Sequence, residues 1–261
     1  MKVYQADEHS FAVTSTLITG AKEAVVVDSG FTRADGLRIA ANVLDSGKQL
    51  TTILISNADP DYYFARGAQE PVPAGQGGGH AGRAREDRVQ AAGQAGLLGP
   101  KMGANAPSHP VLPEALQGNT VMVDGQALEL RGTTGPLAHR PYVWVPALQA
   151  IVGNVGVFGN LHVWTADTQK SAERKAWLAQ LDEMQALKPA VVVPGHMQAG
   201  TAMDASAIAY TRDYLQRFEA AAAKAGNSAE LIGAMKQAYP QAGMALSLDI
   251  GAKVNKGEMP W

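Results

Sequence analysis

The chain of 261 residues has no cysteine, which excludes disulfides and thiolate metal sites. Any metal must therefore be held by His, Asp, Glu or Asn. An excess of either charge is also missing. There are 24 acidic and 22 basic side chains, a net charge of −2, scattered along the sequence. No basic patch points to nucleic acid, and no Lys/Arg cluster points to an anionic membrane. No apolar run is long enough to cross a bilayer. Residues 1–8 lack the apolar core of a signal peptide, so a cytoplasmic protein acting on a small molecule is expected. The length suits one domain over residues 1–261 with a substantial core.

What is present is a pattern of strands and helices. Residues 11–18 and 23–30 read as two strands joined by a turn at Gly20-Ala21-Lys22. Residues 33–47 place Leu37, Ile39, Ala40, Val43 and Leu44 at helical spacing. An apolar strand through Ile53, Leu54 and Ile55 follows. Further strands are expected at 120–123, 128–130, 142–145 and 150–152, with a hairpin signal at Asp124-Gly125. Residues 168–187 carry Trp177, Leu178, Leu181, Met184 and Leu187 on one helical face, and Lys188-Pro189 ends that helix. A strand over 190–194 and helices near 203–224 and 228–238 complete the pattern. The order βαβ, then β-rich, then αβα predicts an α/β (α+β) fold, a four-layer αββα sandwich of two facing sheets with helices outside.

Residues 65–98 break this pattern. They are rich in Gly, Ala, Gln and Arg with no hydrophobic period, and structureless segments of this length are uncommon in compact domains. A sharper account is a shifted reading frame. Gln76 to Ala84, encoded as CAA GGT GGT GGC CAC GCC GGC CGT GCG, gives Lys-Val-Val-Ala-Thr-Pro-Ala-Val one nucleotide later. That is a strand running into a helix start. Gly93 to Gly99 re-reads in the same way as Gly-Lys-Leu-Ala-Phe-Trp.

Two strand ends carry the chemistry. One spills Asn57, Asp59 and Asp61 into the short segment before Tyr62-Tyr63-Phe64. The other stops at Pro194-Gly195-His196. Carboxylates and imidazoles at strand ends are where α/β proteins build metal or catalytic sites, although Asp-Pro-Asp is also an ordinary turn.

Val27-Asp28-Ser29-Gly30, the loop after Ser56, Val152-Gly153-Asn154 and Pro194-Gly195-His196 together resemble the metallo-β-lactamase fold superfamily. The resemblance covers nearly the whole chain except 65–98, and Asp59-Pro60-Asp61-Tyr62-Tyr63-Phe64 looks like a divergent bacterial branch of hydrolase-like proteins. The family's His-x-His-x-Asp-His loop falls on Asn57, Asp59, Asp61 and Tyr62, with only Asp61 unchanged. Its later positions fall on His139, Asn154 and His196. The resemblance thus implies a first metal site of Asn57, Asp59 and His139. It implies a second of Asp61, Tyr62 and His196, with Asn154 between them. This altered set suits one Zn²⁺, Mn²⁺ or Fe²⁺ better than a tight di-zinc pair, and it is also compatible with no metal at all. A metal there implies a hydrolase of a small ester, lactone, thioester or amide using metal-activated water, with Asp61 as ligand or base and Asp59 beside it. The alternative is an inactive relative that binds a small ligand or a protein partner in the old cleft. Asp28 is expected to orient the site loop by hydrogen bonding. His162, near Trp164, is a candidate replacement ligand.

Overall fold

The computed structural model describes residues 1–65, 76–78, 102–107 and 113–261. The first sheet contains β1 (Lys2–Gln5), β2 (Thr14–Thr19), β3 (Glu23–Val27), β4 (Gln49–Leu54) and β5 (Gln76–Gly78), hydrogen-bonded in that order. Between β3 and β4 runs helix α1 (Arg33–Ser46). The second sheet has the order β11-β9-β8-β7-β6, formed by β6 (Thr120–Val123), β7 (Gln126–Arg131), β8 (Tyr142–Val145), β9 (Ala150–Val152) and β11 (Val191–Val192). Its helices are α3 (Ser171–Ala186), α4 (Ser206–Lys224), α5 (Ser228–Ala238) and α6 (Ala245–Asn255). A single-turn helix, α2 (Pro60–Tyr63), follows β4.

Side-chain alternation along the strands builds the layers. In β3, Val25 and Val27 pack with Val143, Val145, Leu128 and Val152 of the facing sheet. Their neighbours Ala24 and Val26 pack the other way, with Ile39, Ala40 and Val43 of α1. In β8, Tyr142 and Trp144 turn from the sheet interface to meet Trp177, Leu181 and Met184 of α3. Three apolar layers between four layers of structure make the αββα sandwich expected from the sequence. Each fully buried large side chain in them contributes about 1.5–3 kcal/mol.

Local sequence sets the helix limits. Thr32 and Asp35 form a reciprocal capping box at the start of α1, and Gly47 closes it in the left-handed conformation at φ 62°. Leu37 and Leu44, two of the apolar positions at helical spacing, are 46 % and 60 % exposed. They lie about a quarter turn from the buried Ile39–Val43 stripe.

β1 and α6 are among the elements that the sequence pattern does not announce. β1 has only Val3 and Tyr4 as apolar residues and pairs antiparallel with β2. α6 carries Gly251 in its interior, which reads as a helix breaker. A Cβ there would lie 2.5 Å from Thr165 Oγ1, so close packing against that loop accounts for the glycine. Within the anomalous segment, β5 pairs parallel with β4 through Thr52↔Gln76, Ile53↔Gly77 and Leu54↔Gly78. It lies where the alternative frame would encode a strand. Apart from Ala65 and β5, the 65–98 segment lies outside the described residues. No helix among the described residues is long and apolar enough to cross a membrane.

Candidate functional site

The site lies where β3, β4 and β9 end and where two short parallel strands, β10 (Phe158–Gly159) and β12 (His196–Met197), pair through Phe158↔His196. Asp28, at φ 64°, accepts hydrogen bonds from the Ser56 amide at 2.7 Å and the Ser56 hydroxyl at 2.8 Å. Burial pushes its carboxyl up to about 8. It ties the loop after β4 to the end of β3, which is the orienting part the sequence suggested.

Asn57 is a bracket within that loop. Its Nδ2 donates to the His139 carbonyl at 2.9 Å, and its Oδ1 accepts from the Asp59 amide at 2.8 Å, an Asx-type turn. Pro60 then begins α2, and the Asp59 side chain makes no capping bond. The Asp-Pro-Asp segment is therefore a helix start, and it turns Asp61 and Tyr62 inward. Asp61 is buried, and burial raises its pKa. Asp59 stands exposed at the rim. Crowding by surrounding protein, and then the charge of Asp61, push its carboxyl upward, an effect that solvent at the rim weakens.

His196 meets these residues from the two-stranded β10–β12 pair. Its Nδ1 lies 2.9 Å from the Phe11 carbonyl oxygen. That oxygen only accepts, so Nδ1 carries the proton and Nε2 presents a lone pair. The Tyr62 hydroxyl lies 3.1 Å from Nε2 and 3.3 Å from the Asn154 carbonyl oxygen. Burial, followed by the charges of Asp61 and Asp28, holds that phenol well above its usual pKa, so it stays a donor. Burial also pushes His196 down to about 4, leaving a neutral ring that stacks on Phe158 with centroids 5.2 Å apart. Asp61 Oδ2 approaches His196 Nε2 at 3.5 Å, but the lone pair there gives it no proton.

Asn154 is fully buried, and both ends of its amide are occupied. Nδ2 donates to the Val193 carbonyl at 2.9 Å, and Oδ1 accepts from the Val157 amide at 2.7 Å. It joins the end of β9 to the end of β11. His139 points elsewhere. Its ring is 37 % exposed and pairs with Asp167 at 3.4 Å. His162 is buried in the helical layer against Tyr214, with Nδ1 at 3.0 Å from the phenol oxygen, and does not line the site cavity.

A pair that the sequence did not single out lies beneath the rim. Arg140 is completely buried. It binds Asp167 through Nε at 2.9 Å and a terminal nitrogen at 2.5 Å, and also donates to the carbonyls of Val155 and Trp164. Its guanidinium lies 4.0 Å from the centroid of Trp177. Burial works to raise Asp167, but the guanidinium, with His139 beside it, outweighs that and holds the carboxyl down at about 2. Asp167 follows Arg140 by 27 positions, too far for any local pattern to link them.

The cleft these groups surround is a cavity of about 200 Å³, with Asp59, Asp61 and His196 in its wall. A two-sheet αββα sandwich whose strand ends present Asp and His to one cleft is the frame of a large class of hydrolytic proteins. Within that class, the chain belongs to the metallo-beta-lactamase superfamily, whose family model matches residues 10–196. Its structure is similar to that of a metallo-beta-lactamase family protein from Thermus thermophilus, with a TM-score of 0.65 and 19 % identity, covering 98 % of this chain and 92 % of that one. A beta-lactamase domain protein from Burkholderia ambifaria matches with a TM-score of 0.60 and 18 % identity, over 93 % of this chain and 80 % of that one. For a metallo-beta-lactamase from Pontibacter korlensis the values are 0.56 and 20 %, over 78 % and 87 %. At these identities the likeness shows the fold alone. No curated protein matches the sequence. Membership suggests a hydrolase-type function, and the superfamily generally binds metal ions.

The donor set of this chain does not fit a two-metal centre. The amides of Asn57 and Asn154 are consumed by main-chain partners. Tyr62 keeps its proton and points it at the His196 nitrogen or the Asn154 carbonyl, and His139 turns to Asp167. Among the described residues, no three His, Cys, Asp or Glu side chains form a group able to hold a metal ion. Of the seven positions, Asp59, Asp61 and His196 line the cavity, and the side chains of Asn57, Tyr62 and Asn154 are engaged in hydrogen bonds.

Proposed function

We propose that this chain is a small-molecule-binding member of the superfamily whose cleft does not depend on a two-metal centre. Its partner is a small ligand rather than nucleic acid or a membrane. The observation that carries this reading is the occupied Asn154 amide. The position implied to bridge two ions instead bonds to Val193 and Val157. Asn is in any case a poor substitute for an anionic bridge.

The hydrolytic reading retains support from family membership and from Asp59, Asp61 and His196 sharing one cavity. Under it the chain would cleave a small ester, lactone, thioester or amide with the help of a Zn²⁺, Mn²⁺ or Fe²⁺ ion. The donor chemistry favours binding over this reaction.

Elemental analysis of folded, monodisperse protein purified without chelator separates the two. The expected result is well below one equivalent of transition metal, before and after soaking in zinc or manganese, with Asn57→His leaving the content unchanged. One bound equivalent, together with chelator-sensitive hydrolysis of a lactone or thioester, would overturn the proposal.

A further inference from the structure

The cavity has a chemical character of its own. Five aromatic rings line it: Phe11, Phe31, Phe158, Trp164 and Trp261. Phe11 and Phe31 lie with centroids 5.2 Å apart on one side. Trp164 and Trp261 meet edge to face at 4.8 Å, and Trp261 is 64 % exposed at the mouth. The acidic groups Asp59 and Asp61 share the same wall, and no Lys or Arg lines the cavity among the described residues. The nearby Arg140 is paired with Asp167, and the two act on Asp59 in opposite senses.

Asp61 is the more telling of the two carboxylates. It is 8 % exposed, faces the cavity, and gains no proton from the nearest His196 nitrogen, which is itself an acceptor. Its own backbone amide offers it a hydrogen bond, but burial still works against its charge, and a second carboxylate close by adds repulsion. A cation in the cavity relieves both. Aromatic faces carry negative potential and stabilise the same charge, most strongly when it is desolvated. An anionic ligand meets the opposite conditions. At about 200 Å³, the space falls below the usual range for drug-sized ligands, so the occupant is small.

We propose that the cleft binds a small organic cation, a quaternary ammonium or protonated amine, held between the aromatic rings and the Asp59 and Asp61 carboxylates. This rests on the reading of the cleft as a ligand site. It deepens that reading by naming the class of ligand.

Calorimetric titration of the metal-analysed protein with tetramethylammonium, choline and the uncharged tert-butyl analogue of choline tests the assignment. The cations are expected to bind, and the neutral analogue roughly tenfold or more weakly. Asp61→Asn and Trp164→Ala should each weaken choline binding by about tenfold, while the exposed Asp45→Asn on α1 should not. Thermal melting checks that each variant is folded, and competition by tetramethylammonium against choline provides a readout on the unmodified chain. Equal binding of choline and its neutral analogue, or no binding of either cation to metal-free protein, overturns this assignment alone. A stoichiometric metal overturns the underlying reading as well. Binding that survives Asp61→Asn and Trp164→Ala undiminished places the cation elsewhere and also overturns it.

Discussion

Replacing Asp167 with Asn is expected to cost about 3–5 kcal/mol, because it leaves the buried Arg140 guanidinium without its counter-charge. Arg140 is fully enclosed, and the Val155 and Trp164 carbonyls that remain to it carry only partial charge. For a chain of this size the loss should appear as a fall in Tm on the order of 10 °C. The double replacement Arg140→Met with Asp167→Leu removes both charges and should cost markedly less than the single one. A double change as costly as the sum of its singles would mean that packing, not charge, dominates here. The pair also sets an acid limit. The folded-state pKa of Asp167 is lowered to about 2, below the roughly 3.9 of an unfolded chain. Its contribution is therefore present above about pH 4 and is lost as pH falls from about 4 towards 2. Melting curves across that interval should converge for wild type and Asp167→Asn.

Gly195→Ala is expected to be at least as damaging. A Cβ at this position would lie 1.6 Å from the Asn154 carbonyl oxygen and 2.6 Å from the Tyr62 hydroxyl. The first obstacle is main chain and cannot rotate away. Gly195 is also pinned on both sides, with its amide donating to Val157 and its carbonyl accepting from Thr14. Accommodating one methyl group means parting β9 from β12 and moving His196 off Phe11 and Tyr62. A loss of about 3 kcal/mol or more follows, and a disturbed tyrosine signal in near-ultraviolet circular dichroism should accompany it. Stability within about 1 kcal/mol of wild type would show that the loop yields more easily than its contacts suggest.

The sheets were legible because they obey simple alternation. Val25 and Val27 face one way and Ala24 and Val26 the other, and such strands announce themselves. β1 was missed because two apolar residues set no period. α6 was missed because Gly251 serves a contact with Thr165, which lies far earlier in the chain. The site was legible as a location and much less as chemistry. Asn57, Asp59, Asp61, Tyr62, Asn154 and His196 could be named from the family resemblance. Whether their polar atoms were free depended on the carbonyls of His139, Val193 and Phe11 and the amide of Val157, main-chain groups with no signature of their own. The aromatic wall was hidden for the same reason, since Phe11, Phe158 and Trp261 come together only through the fold.

The pairing of β5 with β4 bears on how the molecule behaves in crowded solution. Among the described residues, β5 (Gln76, Gly77 and Gly78) is the outermost strand of its sheet, and two of its three positions are glycines with no side chain to fix the register. Beneath it, β4 presents the backbone of an apolar strand whose Ile53 and Leu54 are buried. A partner so lightly specified is readily exchanged for a strand of a neighbouring molecule that offers the same backbone bonds and more apolar surface. The shelf life of a concentrated sample would then be governed by strand exchange at this margin, and loss would grow with protein concentration well below the melting temperature.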